Sequence, residues 1–135
     1  MSSRVTSAVA HGDLDGDGSA DIVVGVESSP TILLRNQGTG RSWVTVRALG
    51  TEGNRSAIGA RVEVIAEGFR QVRELHAGSS FYSSETPWPT FGLGDREGLV
   101  GVRVTWPSGT TESFPGIGVR QLVTVTEGDG LSVAP

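Results

Sequence analysis

Four aspartates near the N-terminus have the types and spacing of a metal site. Three stand at alternate positions, and a fourth closes the stretch 13–21: Asp13, Asp15, Asp17 and Asp21. Glycines stand at its fourth and sixth positions, Gly16 and Gly18. A Ca²⁺ ion takes about six to eight oxygen ligands, and a tight loop with acids at its first, third and fifth positions can supply them. We predict that Ca²⁺ takes side-chain oxygens from the first three aspartates, the carbonyl of Ser19 and both oxygens of Asp21.

The sequence after the loop excludes an EF-hand. That motif places a bidentate acid at its twelfth position, here Val24, and a helix on either side. Val24 cannot bind a cation, and the β-branched run 22–24 favours a strand. Magnesium seldom uses a cage made only of protein ligands, so calcium is the favoured ion. The alternative is an Asp/Gly-rich turn that binds nothing, because both residues are common in turns.

Composition narrows the class of protein. The 135 residues and 14.1 kDa fit one domain, or one domain with an appendage. There is no cysteine, and a net charge of −4 without a basic run argues against nucleic-acid binding. Neither a signal peptide nor an apolar run long enough to span a membrane is visible. All eleven basic residues are arginine, a composition that favours a bacterial source.

Many short alternating segments separated by Gly and Pro predict an all-β chain. Strands 5–10, 20–26 and 31–35 flank the acidic loop, and 42–49, 58–66, 69–76, 99–106, 110–114 and 121–126 follow. We expect an antiparallel β-sandwich or barrel with an N-terminal calcium-loop β-meander packed on it. The predicted domains are 1–40, 41–128 and a frayed tail over 129–135.

The metal loop between short strands resembles the FG-GAP/VCBS repeat over residues 5–36. Such repeats form the blades of calcium-binding β-propellers, so the resemblance implies one blade. A single repeat cannot bury its apolar faces alone. We therefore expect the chain to be the C-terminal part of a larger propeller protein, with upstream repeats or a homodimer partner covering the blade.

Motifs further along the chain resemble the ASPIC/UnbV domain. They occur in the family's order: Asn54-Arg55-Ser56-Ala57-Ile58-Gly59-Ala60-Arg61-Val62, Ala77-Gly78-Ser79-Ser80, Phe91-Gly92-Leu93-Gly94 and Val104-Thr105-Trp106-Pro107-Ser108-Gly109. The family includes cartilage acidic protein and bacterial proteins encoded near enediyne biosynthesis genes. Thr90 stands where the family often has His, and Ser83-Ser84 where it often has Ser-Gln. We expect Arg55 or Arg61 to pair with a buried acid.

No catalytic constellation is identifiable, so we expect a protein that is not an enzyme. Ser79 and Ser80 lie near His76 but lack the Gly-x-Ser-x-Gly elbow of a nucleophile. His76 reads as a surface residue, and His11 is expected to pack on the acidic loop. Glutamates at 63, 67, 74 and 85 fit solvated strand faces better than a glycosidase pair.

The interpretation that explains most of these features is a non-catalytic calcium-binding module, secreted or at the cell surface, for interaction with a protein. One alternative is a small-molecule-binding or biosynthetic accessory protein of the enediyne-associated type. Another is a carbohydrate-binding module. Trp88, between two prolines, is the best exposed candidate for ligand contact, with Tyr82 beside it.

Overall fold

The computed structural model describes residues 6–78 and 83–133, which fall into two compact units. The first unit contains residues up to Gly40 together with segment 78–86, and the second contains 41–77 and 87 onward. Within the described ranges all regular elements are strands, and no helix there could cross a membrane. The prediction of an all-β chain is confirmed.

The first unit is an antiparallel meander of β1 (Thr6–Gly12), β2 (Asp21–Val26) and β3 (Ile32–Leu34) in that spatial order. Gly12 pairs with Asp21, so the acidic loop begins and ends at paired residues of β1 and β2. Residues 83–86, predicted to belong to the second domain, lie with this unit, and the Ser83 hydroxyl donates to the Val9 carbonyl at 2.6 Å.

The second unit contains two sheets. One consists of β4 (Ser42–Leu49), β7 (Thr90–Gly94) and β10 (Gln121–Thr126), in the order β10-β4-β7. The other consists of β5 (Arg61–Ala66), β6 (Phe69–Glu74), β8 (Leu99–Thr105), β9 (Thr111–Gly118) and β11 (Leu131–Ser132), in the order β11-β9-β8-β5-β6. This is a sandwich, without the closed barrel that the sequence left open.

Alternate residues of both sheets form one apolar core. The fully buried members include Val44 and Val46 of β4, Phe91 and Leu93 of β7, and Val62, Val64, Val102 and Val104 of β5 and β8. The period of two follows from the strand pleat, which turns every second side chain to the same face. Trp106, which follows β8, is 2% exposed and belongs to this core.

Three local expectations are wrong. Strand β10 runs parallel to β4, although an antiparallel fold was expected. Residues 58–60 form a turn and no strand, because the Asn54 side chain accepts from the Ile58 N–H and donates to the Ile58 carbonyl. The tail is not frayed over its described part, since β11 pairs with β9 and the Val133 N–H donates to the Thr111 carbonyl.

Two buried glutamates join the last strands to the turns around them. Glu112 accepts from the Trp106 indole N–H at 2.8 Å, and Glu127 accepts from the Ser108 hydroxyl at 2.7 Å. The N–H groups of Glu52 and Thr51 also donate to Glu127. These donors, Glu52 first, hold the pKa of the Glu127 carboxyl below its ordinary value.

Candidate metal centre

Asp13 organises the acidic loop through short-range hydrogen bonds. Its Oδ1 accepts from the N–H groups of Gly16 at 2.8 Å and Asp17 at 3.1 Å, and its Oδ2 accepts from the Gly18 N–H at 2.9 Å. Gly16 and Gly18 have φ of 77° and 85°, a region that side chains disfavour. Gly16 and Gly18 therefore allow the chain to turn sharply within the loop.

Asp21 is the buried member of the cluster, with 2% of its surface exposed. Its Oδ2 accepts from the Leu14 N–H at 3.1 Å, and its Oδ1 accepts from the Asn36 N–H at 2.8 Å. Buried carboxylates require such donors, because an unpaired charge away from water is costly. Asp21 thereby ties the loop to the chain that follows β3.

Three of the predicted ligands converge. One carboxylate oxygen from each of Asp13, Asp15 and Asp21 lies within 4.8 Å of the other two. Two oxygens bound to one Ca²⁺ at about 2.3–2.6 Å can be at most ~5.2 Å apart, so each pair of these oxygens is close enough to share one ion. The donors are oxygen only, which suits a hard cation. The residues present therefore fit calcium.

Asp17 lies outside this group of three. Its Oδ1 accepts from the Ser19 N–H at 2.7 Å, which is an Asx-type turn. Its role as a ligand, like that of the Ser19 carbonyl and the bidentate binding of Asp21, stays a prediction.

Residues 35–38 close the loop, a role that was not predicted from the sequence. Arg35 donates from Nε to Asp15 Oδ2 at 2.6 Å, and the N–H of Asn36 reaches Asp21. A Cβ on Gly38 would lie 2.7 Å from the Ser19 hydroxyl oxygen, so the segment approaches the loop closely. The signal was present in the sequence as a turn cluster directly after β3, but nothing local linked that cluster to the aspartates.

The two histidines are exposed. His76 is a surface residue, as expected. His11 does not pack on the acidic loop: its Nδ1 lies 3.5 Å from Glu85 Oε1, and its side chain is 63% exposed. The difference arises because Ser83 and Glu85 lie beside β1, which local sequence does not indicate.

Trp88 and Tyr82 were predicted to contact a ligand, and Trp88 is less exposed than expected. Trp88 is half-buried, and the Arg47 guanidinium carbon lies 4.8 Å from its ring centroid. The Arg47 side chain forms no hydrogen bond or ion pair within the described ranges, and its Nε is buried without a partner. Tyr82 lies outside the described residues.

Glu63 is the centre of a second charged cluster, in the second unit. It is 4% exposed, and Arg70 donates to both of its oxygens, at 2.9 and 3.2 Å. Arg61 and Arg103 lie 3.5 and 3.9 Å from it, which confirms that one arginine of the 54–62 motif pairs with a buried acid. The Arg70 hydrogen bonds hold the pKa of the Glu63 carboxyl below its ordinary value, and such a group is a poor general acid.

These observations define a class of protein: an all-β module with an acidic loop that offers oxygen ligands. The family model for ASPIC and UnbV matches residues 50–132, more than half of the chain, and the FG-GAP repeat model matches residues 5–45. The chain therefore belongs to the ASPIC and UnbV family, with an FG-GAP repeat before the domain. No curated protein matches the chain significantly.

The order of the two matches is the order expected from the motifs. The combination indicates a module of the extracellular type that is associated with β-propellers. FG-GAP repeats often bind calcium and are typical of extracellular or surface proteins, and a carboxylate cluster lies in the matched segment here.

Proposed function

We propose that this chain is a non-catalytic, calcium-binding β module for interaction with other proteins outside the cell. The observation that carries the proposal is the convergence of Asp13, Asp15 and Asp21, with Asp21 buried at the start of β2. Three ionised carboxylates at this separation repel one another, and a divalent cation removes that repulsion.

Calcium would order the loop and the segment after β3 together. Asp13 holds the loop backbone through three N–H groups, while Asp21 accepts from both Leu14 and Asn36. A cation at their oxygens would supply positive charge to both carboxylates at once. Its removal would therefore loosen the connection between β1 and β2 and the connection after β3.

Exposed apolar side chains on the first unit support an interaction role. Ile22 and Leu34 are paired across β2 and β3, and 40% and 53% of their surfaces are exposed. Val9 of β1 is 43% exposed. By the alternation of strand side chains, all three share one face of the sheet. Clustered apolar exposure of this kind is typical of a protein-binding surface.

Thermal unfolding in calcium tests the proposal directly. If the site binds at about 10 µM, then about 1 mM Ca²⁺ stabilises the folded chain by roughly 2.7 kcal/mol relative to excess chelator. For a domain of this size we expect a rise in Tm on the order of 10 °C. Magnesium at the same concentration is the control and is expected to have a much smaller effect. An unchanged Tm in calcium would contradict the proposal.

Ligand binding near Trp88 is the second candidate function. It is favoured by Arg47, a half-buried cation on the tryptophan ring with no acid partner in the described part of the chain. An arginine on an aromatic ring suits an acidic ligand, such as a carboxylate-bearing sugar. Titration with glucuronate is expected to change tryptophan fluorescence, whereas glucose and the variant Arg47→Gln are expected to give no response. Equal responses to glucuronate and glucose would contradict an arginine-based site.

A further inference from the structure

A single arginine neutralises part of the acidic loop. Arg35, directly after β3, places Nε 2.6 Å and Nη2 2.5 Å from the same oxygen, Oδ2 of Asp15. Within the described residues no other arginine lies within ion-pair distance of the loop aspartates. An arginine guanidinium carries a positive charge in proteins. Arg35 is thus the internal counter-ion of this cluster.

The position of this ion pair conflicts with metal binding. Asp15 is one of the three carboxylates that converge. Its Oδ2 is occupied by two arginine nitrogens, and its Oδ1 accepts from the Asp17 N–H at 3.3 Å. A cation between the three carboxylates would therefore lie close to a like charge, that of the guanidinium bound to Asp15. Arginine and calcium therefore compete for Asp15.

We propose that Arg35 is a built-in competitor of calcium, which holds Asp15 in the calcium-free protein and leaves it when the ion binds. The inference rests on the proposed calcium function and adds the residue that sets the affinity of the site. Arg35 accordingly lowers the calcium affinity. It also stabilises the calcium-free loop, because its positive charge reduces the repulsion between the aspartates.

The local geometry permits this exchange without rebuilding the loop. Arg35 is 68% exposed and Asp15 29%, so the guanidinium can move into water. The next residue, Asn36, is held separately, because its N–H donates to Asp21 at 2.8 Å and its Oδ1 accepts from the Gly38 N–H at 3.1 Å. The backbone after β3 can thus stay in place while one side chain swings away.

Calcium titration of Arg35→Gln tests the inference. Exposed ion pairs contribute up to ~1 kcal/mol, so we expect the variant to bind Ca²⁺ about two- to fivefold more tightly than the wild type. Its Tm in excess chelator is expected to fall, because the carboxylates lose their counter-ion, while its Tm in saturating calcium stays at the wild-type value.

Arg41→Gln is the matched control, since Arg41 has a similar exposure of 64% and pairs with Asp95 of the second unit. It removes the same charge and is expected to leave the calcium affinity unchanged. Tightening in Arg35→Gln alone, or binding that appears only in that variant, supports the inference. Equal affinity in the wild type and Arg35→Gln, or equal tightening in Arg41→Gln, overturns it while the proposed function stands. Absence of calcium binding in all three proteins overturns both.

Discussion

Calcium affinity is expected to fall on the order of 100-fold in Asp21→Asn, because the number of charged ligands sets the affinity of a calcium site. The substitution keeps the size of the side chain but removes the buried negative charge. The two Asp21 oxygens accept from the N–H groups of Leu14 and Asn36. In the variant an NH₂ group replaces one of these oxygens, so one of the two N–H donors loses its acceptor. Isothermal titration measures the affinity, and thermal unfolding in chelator measures the cost to the calcium-free fold.

The calcium affinities of two other Asp→Asn variants are compared with that of Asp21→Asn. Asp95→Asn removes the same charge at a side chain that is 88% exposed, and its calcium affinity is expected to equal that of the wild type. Asp17→Asn tests the ligand that lies outside the converging group, and a loss of affinity there would show that the loop closes further around the ion. A wild-type calcium response in Asp21→Asn would remove Asp21 from the site.

Trp106→Ala is expected to destabilise the protein by about 3–5 kcal/mol, the usual cost of removing a large buried aromatic side chain. The side chain is 2% exposed, and its indole N–H donates to Glu112, which is itself 4% exposed. The variant therefore loses apolar burial and leaves a buried carboxylate with fewer donors. Denaturant unfolding at neutral pH measures the change.

Trp106→Phe separates these two contributions. Phenylalanine retains most of the apolar contact but cannot donate to Glu112, so we expect a smaller loss, about 1–3 kcal/mol. Trp88→Ala serves as the control, because that tryptophan is half-buried and stacks on Arg47. If Trp88→Ala were as destabilising as Trp106→Ala, the assignment of Trp106 as the principal aromatic of the core would be wrong.

Much of the candidate site could be predicted because its bonds are local. The Asp13 carboxylate accepts from residues three to five positions ahead, and Asp17 accepts from a residue two positions ahead. Such contacts follow from the spacing of Asp and Gly alone. The convergence with Asp21 was also predictable, since the β-branched run that follows indicated where the loop must return to a strand.

The remainder of the site depends on residues that are distant in sequence. Arg35 is 20 positions from Asp15, and the Asn36 N–H reaches 15 positions back to Asp21. Neither residue has a type or period that marks it as part of a metal centre. Their positions follow from the pairing of β3 with β2, which carries the end of β3 back to the loop.

By itself the sequence determined the strand-rich class, the curled acidic loop and the core-facing residues, because a period of two and short-range hydrogen bonds are properties of neighbouring residues. The tertiary structure decided that β10 runs parallel to β4, that the end of the chain pairs with β9 and that Arg35 occupies Asp15. Those contacts depend on how the chain crosses between sheets and on which distant charges then meet. Local pattern contains no information on either.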